Sequence, residues 1–129
     1  MIFIFKAGFS SAHFYNQPKW SAEKNRETFG QCFTEYGHGH DYQLEATVEC
    51  KKSHAEQIHQ IIRKQSSELD HQHLNFAIQE FKTKIPTTEN IANYLTQKIK
   101  ASFKNEKAEA QLMKLRLFES PQVWVEFNT

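Results

Sequence analysis

Residues 38–49 alternate strictly. His38, His40, Tyr42, Leu44, Ala46 and Val48 share one parity, and Asp41, Gln43, Glu45, Thr47 and Glu49 share the other. Successive side chains of a strand point to opposite faces, so this pattern predicts a half-buried strand. Residues 2–13 predict another, with Phe3, Phe5, Ala7, Phe9, Ser11 and His13 on one face. Residues 16–31 are polar with a proline and a glycine, which predicts a loop. Residues 54–68 predict a helix. Ile58, Ile61, Ile62 and Leu69 form its stripe, and Ser53 and Glu56 have capping-box spacing. Pro86 precedes a second helix over 88–103, marked by Ile91, Leu95, Ile99 and Phe103. The runs LMKLRLF and QVWVEF, joined through Glu119-Ser-Pro, predict a closing hairpin. The order strand, strand, helix, helix, strand, strand gives an α+β fold: a four-stranded antiparallel sheet with two helices on one face. Two free sheet edges in such a chain predict an oligomer.

Composition narrows this picture. A length of 129 residues suits one domain, 1–129, and 39% hydrophobic residues suffice for a small core. The formal net charge of +1 gives no pull toward nucleic acid or an anionic membrane. The start, MIFIFKAGF, is apolar but short and is broken by Lys6, unlike a signal peptide or a membrane span. Two cysteines do not make a disulfide framework. A soluble cytoplasmic protein with reduced thiols is expected.

The candidate chemistry clusters at the mouth of the alternating strand. A His-x-His pair on a strand aims both imidazoles at one face, close enough to reach one ion. His13 ends the first strand on its apolar face, and antiparallel pairing would bring it beside the start of the second. Three histidines with an open fourth position is the pattern of a catalytic Zn²⁺ rather than a closed structural site. The alternative is a set of satisfied core or surface histidines. His54 and His59 read as solvated helix residues.

Several other groups stand near this centre. Cys32 lies in the polar loop before His38, where a thiolate near a metal and a histidine becomes a base or nucleophile; otherwise it is a small loop residue. Cys50 reads as structural. Asp70 beside His71 is a base-tuning pair or, failing that, a dipole-favoured helix end, and His73 competes for the same role. Glu119 ends an apolar strand face with the parity of Met113, Leu115 and Leu117, and is either a ligand anchor or a turn residue. Thr87 and Thr88 read as helix caps that also present donors to a ligand.

FSSAHFY, C-x5-HGHDY, LDHQHLN, PTTEN and the late FES occur in this order. Together they resemble the 6-pyruvoyltetrahydropterin synthase / 6-carboxytetrahydropterin synthase family from about residue 3 to residue 127. The resemblance implies the tunnelling fold, in which three subunits close an oligomeric barrel and two trimers stack into a homo-hexamer with active sites between subunits. It implies a lyase with His13, His38 and His40 as zinc ligands, Cys32 as catalytic base, and Asp70 and His71 as the dyad activating it. Glu119 would anchor the guanidine-like edge of the pterin, with Thr87 and Thr88 near the ring. The implied substrate is the pterin triphosphate 7,8-dihydroneopterin triphosphate. Triphosphate is lost to give 6-pyruvoyltetrahydropterin, or 6-carboxytetrahydropterin on the route to queuosine.

Two departures divide the branches. The spacing Cys-x5-His resembles the pyruvoyl type, whereas the queuosine type usually has Cys-x3-His. Glu35 also stands as Glu-x2-His-Gly-His, which resembles a third branch that cleaves the side chain to 6-hydroxymethyl-dihydropterin for folate synthesis. Glu35 is otherwise a solvated loop residue. The Gly-Met-Val-x-Asp-Phe segment that family members often carry before the first helix is replaced by ECKKSHAEQ. A different zinc enzyme using water, or a non-catalytic zinc- or pterin-binding protein, completes the alternatives.

Overall fold

The computed structural model describes residues 1–30, 33 and 37–129. Strand β1 (Ile2–His13) pairs antiparallel with β2 (His38–Cys50), in register from Ile2↔Glu49 to His13↔His38. The alternation places Phe5, Phe9, Tyr42, Leu44, Ala46 and Val48 in the core, as expected. β4 (Ala110–Ser120) pairs antiparallel with β2, and β5 (Val123–Asn128) with β4.

A fifth strand changes the sheet. β3 (Gln72–His73) runs parallel to the end of β1, pairing Ser11↔Gln72 and Ala12↔His73. The sheet is therefore five-stranded and mixed, ordered β3-β1-β2-β4-β5, not four-stranded and wholly antiparallel. A two-residue strand carries no alternation, so nothing in the pattern announces it. A second correction concerns β4. The register shifts between Thr47 and Val48, so Leu112 rather than Met113 fills the core, while Leu115 and Leu117 keep the expected face.

Among the described residues, four α-helices accompany the sheet. α1 (Ala22–Phe29) lies inside the stretch expected to be a loop. It has no apolar stripe to predict it. Ser21 caps it by accepting from Lys24 N–H at 3.1 Å. Buried Asn25 holds it through Oδ1, which accepts from Gln17 N–H at 2.6 Å, and Nδ2, which donates to Gln17 and Ser21 carbonyls at 3.0 Å. A polar side chain does the anchoring that apolar area usually does.

α2 (Ala55–Ser67) buries Ile58, Ile61 and Ile62 against β1. Its expected capping box does not form: Ser53 lies in a 3₁₀ turn, Lys52–His54, and no side chain caps the helix. His59 is not simply solvated, because its ring bonds the Lys6 carbonyl at 2.9 Å and lies 5.4 Å from the Phe5 ring. α3 (Leu74–Ala77) is one turn, and a 3₁₀ turn over Gln79–Lys82 follows it. α4 (Thr88–Asn105) buries Ile91, Leu95, Ile99 and Phe103 and packs on β4 and α2. Each fully buried Leu or Ile contributes roughly 1.5–3 kcal/mol. No helix among the described residues is long and apolar enough to cross a membrane.

Candidate metal and ligand site

The β1–β2 register sets His13 directly across from His38, with His40 two pairs further in, opposite Ser11. The ring nitrogens of His13, His38 and His40 lie within 4.8 Å of one another. His13 is buried and faces two oxygens through Nδ1: the Pro86 carbonyl at 3.0 Å and the Tyr42 hydroxyl at 3.2 Å. A carbonyl only accepts, so Nδ1 carries the proton and Nε2 presents a lone pair. That Nε2 lies 3.1 Å from His38 Nε2.

This set fits a metal ion. Tetrahedral Zn²⁺ with bonds of about 2.0–2.1 Å places its nitrogen ligands roughly 3.3 Å apart, close to the 3.1 Å between His13 and His38. His38 Nδ1 is buried with no hydrogen-bond partner among the described residues. That nitrogen stays unpartnered whether it carries a proton or a lone pair, so the fit to a cation rests on the close approach of the His13 and His38 Nε2 atoms. Burial above all, and then His38 and His40, push His13 from 6.5 down to about 4. Burial and then His40 also lower His38, against an opposing pull from Glu119. A neutral imidazole is the form that ligates.

The backbone beside the histidines is constrained. Gly37 has φ of +80°, and a side chain there would overlap the His13 carbonyl. Glu119, at the end of β4, accepts from Thr88 Oγ1 at 2.5 Å. Thr87 caps α4 through the Asn90 N–H at 3.2 Å. Pro86, Thr87 and Thr88 thus touch the histidine centre, the helix start and the Glu119 carboxylate in turn.

Asp70 and His71 sit at the corner before β3. Asp70 Oδ1 accepts from Ser10 N–H at 2.7 Å, and the His71 N–H donates to the Ser10 carbonyl at 2.7 Å. These bonds satisfy the outer edge of β1 where no long strand covers it. His71 adopts a left-handed φ of +59°, a costly conformation for a non-glycine residue. Its ring is exposed, with Nε2 3.4 Å from Asp70 Oδ2. His40, His71 and His73 line one cleft of about 480 Å³ with Ser10, Ala12, Gly39 and Asp41. His73, which pattern reading left as a competitor, packs against Phe14 and Phe76 with ring centres 5.6 and 4.6 Å away. Cys32 and Glu35 lie outside the described residues. Cys50 is a buried free thiol whose pKa burial raises.

Sequence reading missed the Pro86 carbonyl and the Tyr42 hydroxyl. Tyr42 shares the parity of His38 and His40, which was the available signal; a backbone carbonyl from a distant segment leaves none.

The 6-pyruvoyl tetrahydropterin synthase family matches residues 3–129. The 6-pyruvoyl tetrahydrobiopterin synthase of Drosophila melanogaster is 30% identical over 125 residues, which cover 88% of this chain and 71% of that protein. The dihydroneopterin monophosphate aldolase of Pyrococcus furiosus is also 30% identical, over 97% of this chain and 95% of that protein. The solved structure of Caenorhabditis elegans 6-pyruvoyl tetrahydropterin synthase matches with a TM-score of 0.87 and 26% identity, covering 100% of this chain and 95% of that one.

Proposed function

The chain belongs to the 6-pyruvoyl tetrahydropterin synthase family, and we propose that it is a zinc-dependent lyase acting on 7,8-dihydroneopterin triphosphate. The observation that carries this reading is the convergence of His13, His38 and His40, each offering a ring nitrogen within 4.8 Å of the others. Bound there, Zn²⁺ would polarise the hydroxyls of the pterin side chain and acidify the carbons beside them.

The chain's own residues do the rest. Glu119, steadied by the Thr88 hydroxyl, accepts the two N–H groups of the guanidine-like pterin edge. Thr87 and Thr88 present the start of α4 beside the ring. Cys32 takes a proton from the side chain, and His71, oriented by Asp70, relays it. Breaking the C–O bond to triphosphate completes the elimination. The product is 6-pyruvoyltetrahydropterin, or 6-carboxytetrahydropterin with loss of acetaldehyde.

The outer edge of β1 and the free edge of β5 support assembly, as do exposed Ile2, Ile4, Val123 and Trp124. In this reading three chains close a barrel, two trimers make a hexamer, and the exposed His71 ring serves an active site shared between chains.

A second reading has its own support. The Pyrococcus furiosus aldolase is 30% identical, like the Drosophila melanogaster synthase, and the spacing Glu35-x2-His-Gly-His resembles that of the side-chain-cleaving branch. That activity would give 6-hydroxymethyl-dihydropterin. The deciding experiment incubates zinc-loaded protein anaerobically with 7,8-dihydroneopterin triphosphate and identifies products by mass. Released triphosphate with a pyruvoyl or carboxy pterin supports the lyase. A hydroxymethyl pterin supports cleavage, unchanged substrate defeats the lyase, and the same incubation with 7,8-dihydroneopterin monophosphate left unchanged defeats cleavage as well.

A further inference from the structure

One side chain that touches the histidine centre without being among its three imidazoles is Tyr42. Its phenol oxygen lies 3.2 Å from His13 Nδ1, and its ring meets His40 edge-on with centres 5.6 Å apart. The ring is 1% exposed and stacked on Phe9 at 4.8 Å and 15°, so it cannot swing away. The Pro86 carbonyl at 3.0 Å requires the hydrogen to be on Nδ1, so the phenol oxygen is a second acceptor for that same hydrogen.

We propose that Tyr42 is a positioning residue for His13: with the Pro86 carbonyl it holds the proton on Nδ1 and turns Nε2 toward the metal. The inference rests on the metal-centre reading above. Its physics is that of an outer partner on a ligating imidazole. A ligand ring that donates its other N–H to an oxygen is fixed in tautomer and orientation and is a stronger base toward the metal. His13 has two such oxygens, one from a fixed backbone carbonyl and one from a side chain packed between the histidine centre and the core. The hydroxyl therefore stands where the apolar alternation of β2 gives way to the histidines. Its contribution is separable from packing, because phenylalanine keeps the ring and its contacts with Phe9 and His40.

The test compares the parent with Tyr42→Phe and, as a packing control, with Val48→Ala at the buried far end of the same strand. Zinc affinity is read by chelator competition, and the site geometry by the visible absorption of the Co²⁺-substituted proteins. Tyr42→Phe should weaken zinc about tenfold and shift the Co²⁺ bands. Val48→Ala should leave both unchanged while lowering the unfolding midpoint. Zinc affinity within twofold of the parent with unaltered Co²⁺ bands overturns the inference. Should Tyr42→Phe fail to fold, imidazole ¹⁵N shifts of the metal-free parent decide it: a proton on Nδ1 of His13 is expected, and one on Nε2 overturns it. A parent chain that takes up no Zn²⁺ defeats the underlying metal reading instead.

Discussion

The β1–β2 pair has two ends on the same buried face. Toward one end the facing pairs are Phe5↔Ala46, Ala7↔Leu44 and Phe9↔Tyr42; toward the other they are Ser11↔His40 and His13↔His38. The backbone geometry is continuous across the change, but the means of satisfying the side chains is not. The apolar pairs need only area and volume, which α2 and α4 supply. The polar pairs need individual partners. Ser11 Oγ donates to the Leu69 carbonyl at 2.5 Å, and His13 donates to that of Pro86. One strand pair thus serves as core at one end and as a site at the other, and substitutions at the two ends should fail in different ways.

The sharpest contrast is between His38→Ala and Leu44→Ala. His38 is half-buried and its ring holds no backbone partner among the described residues, so its loss would remove one of the three proposed ligands and little structure. Zinc affinity should fall by more than about 100-fold, beyond the effect of losing an outer partner, and turnover should vanish while the fold persists. Leu44 is fully buried, and its truncation should cost about 2–5 kcal/mol in urea unfolding. Zinc stoichiometry should stay at one per chain. If Leu44→Ala abolished zinc binding in folded protein, the two ends would not be independent.

Acid should separate the ends again. The folded-state pKa of His13 is about 4 against 6.5 for the free side chain. Between these values the unfolded chain binds the proton and the folded chain does not, so stability rises with pH. The contribution is full above pH 6.5 and is lost as pH falls toward 4. In metal-free protein this loss should approach about 3 kcal/mol, read as the urea midpoint against pH. Leu44→Ala should lower the whole curve without altering its slope.

The same division explains what the sequence made legible. Alternation exposed β1 and β2, and the helical stripes exposed α2 and α4, because area-driven elements repeat. The His-x-His spacing was legible because it rides on that alternation. α1 was not, since one buried amide, Asn25, replaces the stripe. β3 was too short to repeat, and the bulge that brings Leu112 inward depends on strand pairing. Ser53 had capping spacing, but a 3₁₀ turn displaced the helix start. Pro86 meets His13 through a backbone atom, which residue identity does not encode.

The smallest predicted effect lies where the polar end meets Glu119, the proposed pterin anchor. Thr88 is buried, and its hydroxyl donates to Glu119 Oε2 at 2.5 Å. Thr88→Val keeps the shape and removes the donor. A hydrogen bond to a charged acceptor contributes about 1.5–3 kcal/mol, but Glu119 is half-buried and water replaces part of it, so about 1 kcal/mol of stability should be lost. The carboxylate would then be less well fixed toward the pterin edge, raising KM several-fold with kcat nearly unchanged. Zinc affinity should not move, because Thr88 touches the histidines only through the chain. Thr87→Ala supplies the contrast: it removes the α4 cap, at a similar cost of about 1 kcal/mol, and raises KM less than Thr88→Val because its hydroxyl bonds Asn90 rather than Glu119. If both variants raised KM equally, the start of α4 would act as one unit and the Thr88 hydroxyl would have no separate part in holding Glu119.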